Sequence, residues 1–251
     1  MDSAELLEVA TEAARAAAPL LLDRFGSESA LRTKSSATDP VSEADLAAEA
    51  AIRAVLADHV GDDEIVGEEG GQTAGTSGRR WLVDPIDGTT NYLYGIPQWC
   101  ISVACDGLAG VVFDPVRDEL FAAHANGPAM LNGVTLKPSG AVALEHALVA
   151  TGFGYEAAVR AEQGRIVADL LPRVRDIRRG GSAALDLAWL AAGRFDAYYE
   201  RGIKEWDIAA GSLICARAGL EVTELAATRE LPLGILVANT QVSSALGPIL
   251  R

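Results

Sequence analysis

Apolar residues recur at spacings of three and four through Leu6, Val9, Ala10, Ala13, Ala17, Leu20 and Leu21, which predicts a helix over residues 4–25 closed by Gly26. Residues 27–41 are polar, with Asp39 and Pro40, and read as a loop or hairpin. Ser42 followed three positions later by Asp45 fits a capping box, so a second helix is expected from 42 to about 59. From Glu64 the period changes. Glu64-Ile65-Val66 reads as a short strand and the Gly/Ser/Thr stretch to Arg80 as a loop. Trp81-Leu82-Val83 reads as a buried strand cut at Asp84-Pro85, because proline has no N–H for the ladder. Residues 100–104, 110–113 and 119–123 read as a meander, with Asp106-Gly107 and Asp114-Pro115 as turns and Asn132-Gly133 as a further hairpin.

The second half alternates differently. Strands are expected at 148–151, 176–178, 196–200, 220–224 and 234–238. Helices are expected at 155–171, at 182–192 after Gly180-Gly181, at 207–218 before Gly219, and in a short final segment. No repeat with a period of about 20–50 residues is present. This is a layered mixture of sheets and helices, read as two closely joined halves, 1–145 and 146–251.

Composition narrows the partners. The chain has 251 residues, 49% hydrophobic and 22% charged, ordinary values for a protein with its own core. Its 35 acidic and 21 basic residues leave a formal charge of −14. That balance argues against a nucleic-acid backbone or an anionic membrane as partner. No apolar run approaches the roughly 18 residues of a membrane span, and the Met1-Asp2-Ser3-Ala4-Glu5 start lacks the basic region of a secretory signal. Cys100, Cys105 and Cys215 form no CxxC pair and read as reduced thiols in a cytoplasmic protein. His59, His124 and His146 are scattered without metal-ligand spacing.

Candidate chemistry concentrates in Asp84-Pro85-Ile86-Asp87-Gly88-Thr89-Thr90-Asn91. A strand delivers Asp84, and Asp87 follows one tight turn later. Gly88 lets backbone approach a ligand, and Thr89, Thr90 and Asn91 are helix-start residues whose free N–H groups attract anions. Carboxylates repel a phosphate that a helix start attracts, so one ligand is served by both only with cations between them. Oxygen donors without a Cys/His set favour Mg²⁺ over zinc. Further acids come from the Gly67-Glu68-Glu69 turn, Asp45 and Asp207, each of which alone would read as an ordinary turn or cap residue. Arg178-Arg179 reads as a solvated or interface pair.

The Asp84–Asn91 string resembles the signature of the inositol monophosphatase family of Mg²⁺-dependent, lithium-sensitive phosphatases. Lys34-Ser35-Ser36, Val41 to Asp45, Gly67-Glu68-Glu69, Gly180-Gly181-Ser182-Ala183 and Trp206 to Gly211 resemble its other blocks in the same order. The resemblance implies an α+β fold, a layered αβαβα sandwich of the inositol monophosphatase/fructose-1,6-bisphosphatase type, and a homodimer. It implies metal ligation by Glu68, Asp84, the Ile86 carbonyl, Asp87 and Asp207, with roughly two or three Mg²⁺ ions per site or Mn²⁺ in their place. Asp45, Thr89 and Glu68 match the catalytic positions, Asp45 with Thr89 orienting the attacking water. Asp87, Gly88, Thr89, Ser182, Ala183 and Glu200 match the substrate contacts, and Lys34 a loop lysine near the metals. The implied reaction is hydrolysis of a small phosphate monoester, inositol monophosphate first. Histidinol phosphate, or another sugar or nucleotide ester, is the alternative. A non-catalytic cation-binding or regulatory protein on the same scaffold is a third reading.

Overall fold

The first amphipathic segment forms α1 (Ser3–Arg24), whose Asp2 cap accepts hydrogen bonds from the Ala4 and Glu5 N–H groups at 2.8 and 3.0 Å. The structure, a computed structural model, describes residues 1–27, 32–33, 40–140 and 143–250. β1 (Arg32–Thr33) and β2 (Pro40–Val41) pair as a small antiparallel ladder, so of the loop and hairpin alternatives the hairpin is the one formed. Lys34, Ser35 and Ser36 lie outside the described residues.

α2 (Glu43–Val60) begins at Ser42, and the reciprocal bonds between Ser42 and Asp45 make the expected capping box. Then follow β3 (Glu64–Gly67), β4 (Gly71–Thr73), β5 (Arg80–Asp87), α3 (Thr89–Leu93), β6 (Cys100–Cys105), β7 (Ala109–Asp114), β8 (Glu119–His124), β9 (Met130–Leu131) and β10 (Val134–Thr135). They build an eight-stranded sheet in the order β10-β9-β8-β7-β6-β5-β3-β4, antiparallel except at β3–β5. The second half contributes β11 (Leu148–Thr151), α4 (Ala157–Leu170), β12 (Asp176–Arg178), α5 (Ala183–Ala191), β13 (Ala197–Arg201), α6 (Glu205–Arg217), β14 (Glu221–Leu225), β15 (Gly234–Ala238) and α7 (Thr240–Leu246). Its five-stranded sheet runs β12-β11-β13-β15-β14.

Strand alternation sorts the core into layers. Ile101, Val103 and Cys105 point to the face covered by α1 and α2, where Leu6, Leu21, Ile52 and Leu56 meet them. Cys100 and Ala104 point the other way, onto α5 and α6 and, beyond these, Tyr198, Ile235 and Val237 of the second sheet. Val149, Tyr199 and Leu236 cover that sheet's outer face with Leu170 of α4 and Val242 and Leu246 of α7. The order helices–sheet–helices–sheet–helices is the layered αβαβα sandwich.

Three local differences from the sequence reading matter for the site. β4 is fully exposed at a sheet edge and carries no apolar alternation to reveal it. β5 does not end at Pro85 but runs on to Asp87. α6 starts at Glu205, so Asp207 is its third residue, not its cap. Among the described residues no helix is long and apolar enough to cross a membrane, and all three cysteines are free and buried.

Candidate active site

β5 pairs Asp84 with Ser102 and Asp87 with Cys100, so Pro85 and Ile86 stand opposite the single residue Ile101. This β-bulge absorbs a proline that cannot donate to the ladder. It also settles where the carboxylates point. Residues 84 and 87 of a regular strand would face opposite sides, but their partners 100 and 102 share one face. Both acids therefore turn toward α5 and α6. Asp84 accepts the Ile86 N–H at 3.0 Å. Asp87 accepts the Ser182 hydroxyl at 2.7 Å and the Ala184 N–H at 2.6 Å, at the start of α5.

Gly88 follows at φ +102°, the left-handed region, and turns the chain into α3; a Cβ there would stand 3.0 Å from the Gln98 carbonyl. α3 is pinned on two sides. Tyr92 packs edge-on against Trp99 at 5.0 Å and donates its hydroxyl to the Leu21 carbonyl at 2.8 Å. Asn91 donates to the carbonyls of Gln98 and Gly180 at 2.6 and 2.9 Å, tying the helix to the turn before α5.

Thr89, the first residue of α3, lies 3.2 Å from Asp45 Oδ1 and 3.1 Å from the Ile86 carbonyl, and its hydroxyl can donate to either. The other Asp45 oxygen accepts both the N–H and the hydroxyl of Ser42 at 2.7 Å. The carboxylate that caps α2 thus reaches the start of α3. Asp207 accepts the Lys204 N–H at 2.7 Å.

Glu68, Asp84, Ile86, Asp87, Gly88, Thr89, Ala183, Glu200 and Asp207 line one cavity of about 800 Å³. Asp45 stands behind Thr89, and Ser182, nearly fully buried, holds Asp87 from behind. Arg160, Arg179 and Lys204 line the same cavity; sequence reasoning missed Arg160, a lone surface-type cation without a pattern, and read Arg179 as half of a solvated or interface pair. The two adjacent arginines divide: Arg178 pairs with Asp176, while Arg179 enters the cavity wall over the Phe153 ring. A separate cavity of about 680 Å³ between α1 and β8–β9 contains none of the motif residues.

Burial pushes Asp84 well above the usual carboxylate range, and the neighbouring Glu68, Asp87 and Asp207 push it further. Burial likewise raises Asp207 strongly, with Asp87 and Glu68 adding to it. Asp87 is raised by burial to about 6, because the hydrogen bonds from Ser182 and α5 oppose the shift. Glu200 is raised by burial to about 7, against the hydroxyl of Tyr198 that donates to it at 2.7 Å. Among the described residues no ion pair engages Asp84, Asp87 or Asp207.

The donors present are carboxylates and one carbonyl, with no His or Cys ligand, and buried like charges of this kind call for a cation. That chemistry fits a hard divalent ion. Among the described residues no three His, Cys, Asp or Glu side chains stand in the arrangement of a preformed metal site.

A layered αβαβα sandwich with an acid-lined cavity at a bulged strand defines the class, and comparison with known proteins defines the family. Residues 2–247 match the inositol monophosphatase family, and the chain belongs to it. It is 44% identical to an inositol-1-monophosphatase of Mycobacterium bovis, over 78% of this chain and 72% of that one. It is 39% identical to a protein named Nus factor SuhB in Pseudomonas aeruginosa, over 96% of this chain and 94% of that one. Among solved structures, the extragenic suppressor protein suhB of Bartonella henselae matches with a TM-score of 0.90 and 33% identity, covering 98% of each chain.

Proposed function

We propose that the protein is a Mg²⁺-dependent phosphatase acting on small phosphate monoesters, inositol monophosphate first among them. The observation that carries the reading is a group of buried, mutually repelling carboxylates sharing a cavity with Thr89, which Asp45 holds from behind. Glu68, Asp84, the Ile86 carbonyl, Asp87 and Asp207 would hold the ions. When bound, they supply charge neutralisation of the ester, a more acidic water and a hold on the leaving oxygen.

The chain's own groups do the positioning. The two acceptors near Thr89 are almost equidistant, and Asp45 is the stronger because an ionised acceptor draws a hydroxyl proton more strongly than a neutral carbonyl. With its proton committed to Asp45, the Thr89 oxygen is left to accept from a water and orient it for in-line attack. Water oxygen bonds to phosphorus, the phosphorus–ester oxygen bond breaks, and alcohol and inorganic phosphate leave. The N–H groups of Gly88 and Thr89 face the phosphate, and Glu200 accepts from substrate hydroxyls beside Ala183.

Phosphate release from inositol 1-phosphate, histidinol phosphate, fructose bisphosphate and a 3′-phosphoadenosine nucleotide tests this directly. Release that needs Mg²⁺, stops with EDTA and is fastest on inositol phosphate is the expected result. No release from any ester would reject the reading. It would favour a regulatory role on the same scaffold, the reading to which the relatives named Nus factor point.

A further inference from the structure

We propose that Glu49, which no motif marks, is the positioning residue that fixes the Glu68 turn for cation binding. The inference rests on the reading of Glu68 as a metal ligand. Glu49 lies in the middle of α2, 2% exposed. One oxygen accepts the Glu69 N–H at 2.7 Å; the other accepts the Gly70 N–H at 2.8 Å and the Arg53 guanidinium at 2.6 Å. Two successive peptide groups immediately after Glu68 thus converge on one buried carboxylate. On its other side, Glu68 donates its own N–H to the Val83 carbonyl at 3.1 Å, next to Asp84. The Glu68 backbone is held from both ends.

The turn is built around this carboxylate. A Cβ at Gly67 would stand 2.2 Å from a Glu49 oxygen and one at Gly70 2.6 Å from it, so the chain wraps too closely for side chains. Arg53, one helical turn on, braces the arrangement by donating to the Gly71 carbonyl at 2.5 Å and the Thr73 hydroxyl at 3.0 Å.

Glu49 also sits four residues after Asp45 on the same helix face. One turn of α2 therefore carries two carboxylates with parallel tasks. Asp45 steadies Thr89 on one side of the cavity, and Glu49 steadies the turn bearing Glu68 on the other. Because α2 is rigid over one turn, it fixes the spacing of two segments far apart in the chain, the β3–β4 turn and the start of α3.

The test is calorimetric titration of Mg²⁺ into metal-stripped protein, with unfolding of the metal-free protein followed in parallel. Glu49→Gln sets an amide NH₂ against donors that now meet oxygen. Mg²⁺ affinity should fall about 10–100-fold, the usual cost of losing a group that orients a ligand. Glu68→Ala should weaken binding as well, and Glu49→Gln added to it should cost nothing more. If Glu49→Gln folds poorly, Arg53→Met should shift Mg²⁺ affinity the same way by a smaller factor. Wild-type affinity in Glu49→Gln or in Arg53→Met, or additive losses in the double variant, would overturn the proposal. If Glu68→Ala itself binds Mg²⁺ as the wild type does, the ligand set of the proposed function fails and takes this inference with it. Failure at Glu49 alone leaves that ligand set standing.

Discussion

Two sets of buried acids border the same strand, β5, and they are treated in opposite ways. Asp63, beside the strand's start, accepts the indole N–H of Trp81 and the guanidinium of Arg79, both at 2.9 Å, and the Ser77 hydroxyl at 2.5 Å. Burial alone would raise its pKa, but these bonds outweigh that and hold it below the ordinary value. Three residues past Trp81, Asp84 begins the second set, where burial and neighbouring acids raise Asp84, Asp87 and Asp207 together. A carboxylate needed for architecture is folded with its own cation. The acids at the bulge are folded with each other, which is costly unless something positive is supplied from outside.

That contrast can be broken at several points. The largest effect should come from Asp84→Asn. At a Mg²⁺ concentration that saturates the wild type, kcat for phosphate release should fall by more than about a hundredfold, since even groups that merely orient a ligand cost 10–100-fold. Asp207→Asn should behave alike. Thr89→Ala should lower kcat about a hundredfold through loss of water orientation, with its Mg²⁺ titration midpoint unchanged. Near-normal turnover in any of these variants contradicts its assigned role.

Stability should respond with opposite signs on the two sides of β5. Asp63→Asn leaves Arg79 without its partner and should cost about 2–3 kcal/mol in denaturant unfolding, with or without Mg²⁺. Asp87→Asn removes a repelled charge and should raise the stability of the metal-free protein by about 1 kcal/mol at pH 7.5. The smallest effect is in pH dependence. A carboxyl raised from 3.8 to about 6 on folding keeps its proton longer in the native state. Stability from Asp87 is therefore greatest below pH 4 and falls as pH rises through 6. Mg²⁺ binds the deprotonated form, so the Tm gain it produces should be larger at pH 7.5 than at pH 5.5. An equal gain at both would show that the acids do not bind it.

Much of this was legible from local chemistry. The Ser42–Asp45 capping box, the meander with its Asn132-Gly133 turn and the helix after Gly180-Gly181 each follow from patterns with a physical cause. The Asp84–Asn91 string singled out the candidate site, and its Asp84, Ile86, Asp87, Gly88, Thr89 and Thr90 line one cavity. The bulge was not legible, because Pro85 signals the end of a ladder equally well, and only the pairing of 84 with 102 and 87 with 100 shows that the strand continues. Local pattern marks Asp45 only as a cap; its pairing with Thr89, 44 residues away, is expected from the family resemblance alone. Glu49 has the look of any acid on an amphipathic helix until the 68–70 turn folds around it. Local pattern marks which groups are unusual; long-range packing decides which ordinary groups support them.

The proposed function requires divalent cations to bridge the acids of the bulge to an anionic ester. The most direct measurement is titration of Mg²⁺ into the metal-stripped protein at pH 7.5, followed by inorganic phosphate. At least one Mg²⁺ should bind per chain, phosphate should bind only once Mg²⁺ is present, and both should vanish in Asp84→Asn. Phosphate binding that ignores Mg²⁺, or an unchanged isotherm in Asp84→Asn, would show that no cation held by these acids joins the ester to the protein.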